Sequence, residues 1–368
     1  MNQLSRKQLG IIAVVVAVII VGAIFFAFGK KNKNVKQIQV NGTRQTEPVN
    51  QGNVSPISGL ACADWNRRPF AVMQPADVSA RPAAGFSEAD MVFEMPVITN
   101  SITRLMGVYV CGNPIDIGSM RSARHDFVAL AAGIDAIFVH WGRSNIDKFK
   151  DLLNNHVIDD MNCNNDAGKS AQQYCYRKEE TGTMRGVDTG YAHFADLLKG
   201  AQAFGYRLTD NFAGYPHQEE APLDQRPNGG RLRVVFPKPF DVEYDYDKTT
   251  NSYLRSWNNV PDTDRNNGQR IAPKNIVVLT AESTQLIEGE QYNNVQIGDP
   301  WFDTTDSGVA HYYMNGQQYT GTWKKDKSKV DSKLFFYDDS GQEIKFVPGQ
   351  IWVDILEPDQ NLEWKPAA

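Results

Sequence analysis

The run Leu9–Phe28, LGIIAVVVAVIIVGAIFFAF, constrains this chain more than any other stretch, because its twenty residues carry no charge. A helix of that length spans roughly 30 Å, the thickness of a bilayer's hydrocarbon core. A cleavable signal peptide has a shorter apolar region followed by a small-x-small site. Here the run ends in Ala27-Phe28-Gly29-Lys30, so it reads as an uncleaved signal anchor, a transmembrane helix within residues 1–29. Arg6 and Lys7 precede it, and Lys30, Lys31, Lys33 and Lys36 follow. The later lysines favour a cytoplasmic body, but large C-terminal domains translocate largely regardless of local charge. Cysteine usage supports export: Cys62, Cys111, Cys163 and Cys175 all lie beyond the run, and none forms a C-x-x-C pair that would suit zinc. Four cysteines allow three connectivities. The local choice is Cys163–Cys175, closing a polar loop, with Cys62–Cys111 as the second bridge; four buried thiols is the alternative. The expected location is a single-pass position in the cell membrane, via residues 9–28, with the soluble domains outside.

Residues 30–54 are polar, lack aliphatic periodicity and read as a flexible tether. Removing the seven basic and one acidic residues of 1–54 from the chain's 38 and 43 leaves 31 basic and 42 acidic side chains, a net charge of −11. A body with that balance lacks the basic footprint of a nucleic-acid binder.

From 55 to 210 the pattern alternates as in an α/β domain. Short strands are expected at 70–73, 91–94 and 103–110. Ser122 is placed to cap a helix carrying Ala123, Phe127, Leu130 and Ala131 on one face. Residues 135–140 (DAIFVH) read as a buried strand, and Ser144 with Asp147 as the capping box of a further helix. Another helix is expected from Thr189 to about Phe204. Residues 211–230, rich in Pro and Gly, suit a linker. Residues 231–368 read as a β-rich domain of strands and turns, with Asn315-Gly316 as the strongest hairpin signal. Trp257, Trp301, Trp323 and Trp352 recur there, as core or as a stacking surface. The expected fold class is therefore α+β: an N-terminal transmembrane helix, an α/β domain, then a β-rich domain.

The chemistry concentrates around residues 117–144. Arg121 and Arg124 are three apart at a helix start, where free N–H groups and the helix dipole also favour an anion. Arg104 can approach from a neighbouring strand, and His140 ends a strand before a helix, an edge where α/β sheets hold ligands. Converging arginines give bidentate bonds to a carboxylate or other anion. No G-x-S-x-G elbow, H-E-x-x-H, Walker loop or G-x-G-x-x-G occurs, so no cofactor and no metal are expected. Asp159-Asp160 reads as an acidic loop, not a ligand pair.

These segments resemble the YerB-like lipoproteins. The likeness runs from Ser55 to about Val353, through SPISGL (55–60), RRPFAVM (67–73), ARPAAGFSEADMVFE (80–94), ITRLMGVY (102–109), IGSMRSAR (117–124), DAIFVHWGRS (135–144), GTW (321–323) and PGQIWV (348–353). The chain departs from the family form at Ser119, where a proline is usual, at Arg143, where glycine is usual, and at Asn100-Ser101, where the family tends to Gly-Gly. It also lacks the family's Pro-His-Asn segment in the stretch MRGVDTGYAHF. The resemblance implies two domains catalogued as of unknown function, on the outer side of the membrane, and supplies no reaction.

Two readings of function follow. In the first, the body is an extracytoplasmic binding or scaffold module that holds an anionic or carboxylate-bearing ligand at Arg104, Arg121, Arg124 and His140, the partner being a cell-wall polymer or an envelope protein. In the second it is a cell-envelope hydrolase, with His140 as general acid or base, Glu94 orienting it and the arginines clamping substrate.

Overall fold

The computed structural model describes residues 52–286, 293–301 and 305–367. Extended segments dominate them, and they organise around one mixed sheet of ten strands. Its order runs Phe335–Asp338, Gln317–Lys324, Ser307–Met314, Asn275–Thr280, Ile351–Leu356, Met91–Pro96, Thr103–Tyr109, Phe70–Pro75, Ile137–His140 and Asp160–Asn162. Strands from the two ends of the sequence meet at its centre. Ile351–Leu356 pairs in parallel with Met91–Pro96, which sets Asp354 opposite Glu94. These central strands are buried along their whole length on both faces, as their near-continuous apolar runs require.

Side-chain alternation assigns the two faces. Met91, Phe93 and Met95 point to a core shared with two short helices, α1 (His125–Gly133) and α2 (Asp147–Asn154). Val92, Trp352 and Leu356 point the other way, to a core shared with α3 (Phe194–Ala203) and a second sheet. That sheet is antiparallel, in the order Val260–Pro261, Ser252–Trp257, Val242–Asp247, Gly230–Val235, Asn361–Pro366. The Asn315-Gly316 hairpin forms as expected. Both residues have positive φ (54° and 71°), and Met314 pairs with Gln317 across the two-residue turn. The recurring tryptophans are mainly core: Trp323 and Trp352 are fully buried and Trp257 nearly so.

The α+β expectation is corrected. Only three α-helices of eight to ten residues occur among the described residues, and the strands of the 55–210 segment join those of the C-terminal segment in one sheet. The strand–helix–strand pattern at 135–153 is real, since Ile137–His140 lies parallel to both its neighbours. It makes only one corner of a sheet whose other N-terminal pairings are antiparallel. The apolar run 9–28 lies outside the described residues, within which no helix is long and apolar enough to cross a membrane.

Local expectations also shift. α1 starts at His125 after Arg124, without a side-chain cap, because the Ser122 hydroxyl instead donates to the carbonyl of Trp141 at 3.3 Å. α2 starts after Ile146 and Ser144 does not cap it. The helix expected from Thr189 begins at Phe194, since Gly190–Ala192 is drawn into a small sheet. The stretch read as a linker seats Phe212 and Tyr215 in the core, with Tyr215 against Phe336 and Phe346.

Candidate functional site

The residues singled out in the sequence divide between the two faces of the large sheet. On the helix side, two loops run together beyond the strand ends. The Ala123 amide donates to the carbonyl of Gly142 at 2.9 Å and the Trp141 amide to that of Arg121 at 3.0 Å. Gly142 (φ 80°) turns the chain here, with its Cα facing Ser122 and Asn164. Arg104, 5 % exposed, braces this pair of loops by donating to the Ser122 carbonyl at 2.8 Å. Arg104, Arg121, Arg124 and His140 are thus neighbours along the backbone. Their side chains face different ways.

His140 points inward, fully buried beside Phe138. Its Nδ1 lies 2.7 Å from the Gly142 carbonyl and its Nε2 3.2 Å from Asp160 Oδ2. Asp160 also accepts from the Lys169 amide at 3.1 Å, and Asp159 pairs with Arg68 at 2.5 Å, so both carboxylates of that acidic pair are committed. Arg124 donates to the Ala123 carbonyl at 2.9 Å. Arg121 reaches sideways to Asp77 at 3.5 Å and Asp188 at 3.7 Å, and Arg185 grips the same two carboxylates at 3.0 and 2.8 Å. Burial tends to raise the Asp188 pKa, but the bonds from Arg185 and Ser79, with the charge of Arg121, hold it below the usual range. Alongside, the Arg177 guanidinium stacks on the Trp141 ring at 4.4 Å. The result is a half-exposed, arginine-lined rim over loops that are rigidly hydrogen-bonded beneath.

Glu94 lies on the other side of the sheet. It accepts from Thr103 Oγ1 at 2.8 Å and from Arg255 at 2.5 Å, and all three residues are fully buried. Arg255 also pairs with Asp262, stacks on Trp352 at 4.4 Å and donates to Tyr244 Oη at 3.3 Å. Tyr244 in turn donates to Asp354 at 2.9 Å, and Asp262 takes two bonds from Arg81 at 2.8 Å each. Burial, then the neighbouring Glu94 charge, pushes the Asp354 carboxyl up to about 8 against the opposing pull of Arg255. For Asp262 burial also acts upward, yet Arg81 and Arg255 together hold it below the usual range. This ion network joins the central seam of the large sheet to the second sheet. It went unread in the sequence, although period-2 alternation in IWVDILE puts Asp354 on the same face as Trp352 and Leu356.

Between the Glu94 and His140 strands stand two others, Thr103–Tyr109 and Phe70–Pro75. Three inter-strand steps amount to roughly 14 Å, and the two side chains also leave opposite faces. They do not meet. Both disulfides form, Cys62–Cys111 and Cys163–Cys175, with Cα separations of 5.8 and 5.9 Å, and no cysteine among the described residues is free.

Residues 57–207 match the family described as protein of unknown function (DUF3048) N-terminal domain, and 232–353 match its C-terminal domain. The chain belongs to the DUF3048, or YerB-like, family. A relative, the putative lipoprotein YerB of Bacillus subtilis (strain 168), is 29 % identical over 317 residues, covering 83 % of this chain and 86 % of the relative. The crystal structure of the Bacillus subtilis YerB protein superposes with a TM-score of 0.69 at 27 % identity, over 84 % of this chain and 99 % of that one. The two family segments are those whose strands share the large sheet of this DUF3048 protein.

Proposed function

We propose that the body of this protein is an extracytoplasmic binding or scaffold module of the cell envelope, which recognises an anionic ligand or protein partner through the rim of Arg121 and Arg124, and that it is not a hydrolase. The observation that carries this reading is the disposition of His140. It is sealed from solvent with a partner at each ring nitrogen, and the carboxylate expected to orient it serves an ion network on the opposite face. A general acid or base must reach the proton it transfers. The two disulfides support an oxidising, extracytoplasmic setting, in keeping with the lipoprotein description of the relative. The arginine rim fits recognition because Arg121 and Arg124 keep part of their side chains open to solvent on a stiff base.

The test is incubation of the purified full-length chain with isolated cell-wall sacculi, with mass spectrometry of pellet and supernatant. Retention in the pellet without release of soluble fragments, weakened by Arg121→Ala, supports wall binding. Release of new wall fragments would overturn the proposal. Retention that is indifferent to Arg121→Ala and Arg124→Ala would remove the rim from it.

A further inference from the structure

A second cluster lies at the N-terminal end of α1, away from the arginine rim and unused by the reading above. His125 and Asp126 open that helix, and Asp299 reaches them from the segment between the strands Asn293–Val295 and Ser307–Met314. All three are at most 1 % exposed, and one ligand atom from each lies within 4.8 Å of the others. His125 Nε2 is 3.0 Å from Asp126 Oδ1.

One further observation singles this cluster out from an ordinary buried ion pair. Asp126 Oδ2 is buried with no hydrogen-bond donor, a costly state for a carboxylate oxygen. Asn294, 4 % exposed, presents its amide to the same spot. Its amide nitrogen donates to Asp126 Oδ1 at 3.1 Å and to the Val295 carbonyl at 3.2 Å. Asp126 Oδ2 is still left without a donor, and a cation held between the carboxylates would satisfy it. Lys325, which donates to the carbonyls of Val330 and Ser332 at 3.1 and 2.8 Å, lies near enough to feel the charge of Asp299.

We propose that His125, Asp126 and Asp299, with the Asn294 amide oxygen as a fourth donor, form a buried structural site for a divalent cation of the zinc or manganese class. One imidazole and two carboxylates, with no thiolate, suit these borderline ions better than copper(I). Small rotations of the side chains draw the ligand atoms to bonding distance, and the Asn294 amide turns oxygen-inward as the ion enters. The site is closed to solvent, so its role is to hold and not to catalyse. His125 and Asp126 belong to the N-terminal family segment and Asp299 to the C-terminal one, so the ion staples the two together across the helix face of the sheet. Because such a site exists only in the folded state, metal binding adds to folding stability.

The experiment uses the purified full-length chain, stripped with EDTA and then equilibrated separately with Zn2+ and Mn2+. Bound metal is counted by inductively coupled plasma mass spectrometry, and thermal unfolding is followed by circular dichroism. The expected result is one ion per chain and a melting temperature raised by several degrees, reversed by EDTA, with both effects lost in Asp299→Asn and in Asp126→Asn. Wild-type protein that retains no metal above the buffer level, and melts identically with either ion or EDTA, would overturn the proposal whatever the variants do. Stoichiometric metal retained by both variants would overturn the ligand assignment.

Discussion

Replacing Arg255 by methionine tests whether the buried ion network holds the two sheets together by charge. Arg255→Met keeps much of the apolar stem against Trp352 but removes the guanidinium from Glu94 and Asp262. Asp262 retains two bonds from Arg81, and Glu94 retains only the Thr103 hydroxyl. Glu94 is then a buried carboxylate without a cation, beside Asp354, and its least costly escape is to bind a proton. From a reference value near 4.3, neutralising a glutamate at pH 7 costs about 3.7 kcal/mol, at about 1.36 kcal/mol per pH unit. That lies within the roughly 3–5 kcal/mol typical of breaking a buried pair from one side. The sign with pH follows. In the variant the folded state holds the proton more tightly than the unfolded state, so stability is highest below about pH 4.3 and falls as pH rises. The cost of the substitution should therefore shrink by about 2 kcal/mol between pH 7 and pH 5.5. Urea unfolding monitored by far-ultraviolet circular dichroism at both pH values, variant against wild type, measures it. The double variant Glu94→Gln/Arg255→Met, which leaves no lone charge at the seam, should recover most of the loss. A single-variant loss under about 1 kcal/mol, or one that does not change with pH, would refute the reasoning.

Asp354 predicts a complementary effect in the wild-type protein. Its folded pKa, about 8, exceeds that of an unfolded aspartate, so its contribution is complete below about pH 4 and lost as pH rises through 8; Asp354→Asn should flatten stability over that window in urea titrations. His140→Ala removes a partner from buried Asp160 and opens a cavity, so it should cost about 2–4 kcal/mol in the same assay while leaving sacculus retention unchanged below its melting point. Arg121→Ala should cost under about 1 kcal/mol, because Arg185 still holds Asp77 and Asp188, so any loss of retention would report recognition, not unfolding. Iodoacetamide should label no cysteine until the protein is reduced, and the Cys62–Cys111 bridge, 49 residues apart, should contribute about 4 kcal/mol against about 3 for Cys163–Cys175, 12 apart. Labelling without reduction would contradict the pairing.

Much of this protein could be read from its residues in order. Short apolar runs bounded by turns placed the strands around Phe70, Met91, Thr103 and Ile137, and Asn315-Gly316 marked a hairpin, because both signals act over a few residues and need no distant partner. The family likeness was likewise carried by short local motifs. Sheet membership was not local. Ile351–Leu356 lies beside Met91–Pro96 across some 260 residues of chain, so whether two segments form two domains or one sheet depends on which strand edges find each other. The same limit governed the site. Residues 121–144 lie together along the backbone, but which face each side chain leaves by was set by strand register: His140 on the helix face, Glu94 on the other, the latter bound to an arginine 161 positions away. One-dimensional spacing carries the periodicity of a strand and the identity of its neighbours in sequence. Only the packed tertiary structure decides which buried charges must neutralise one another, because that depends on distances through a low-dielectric core.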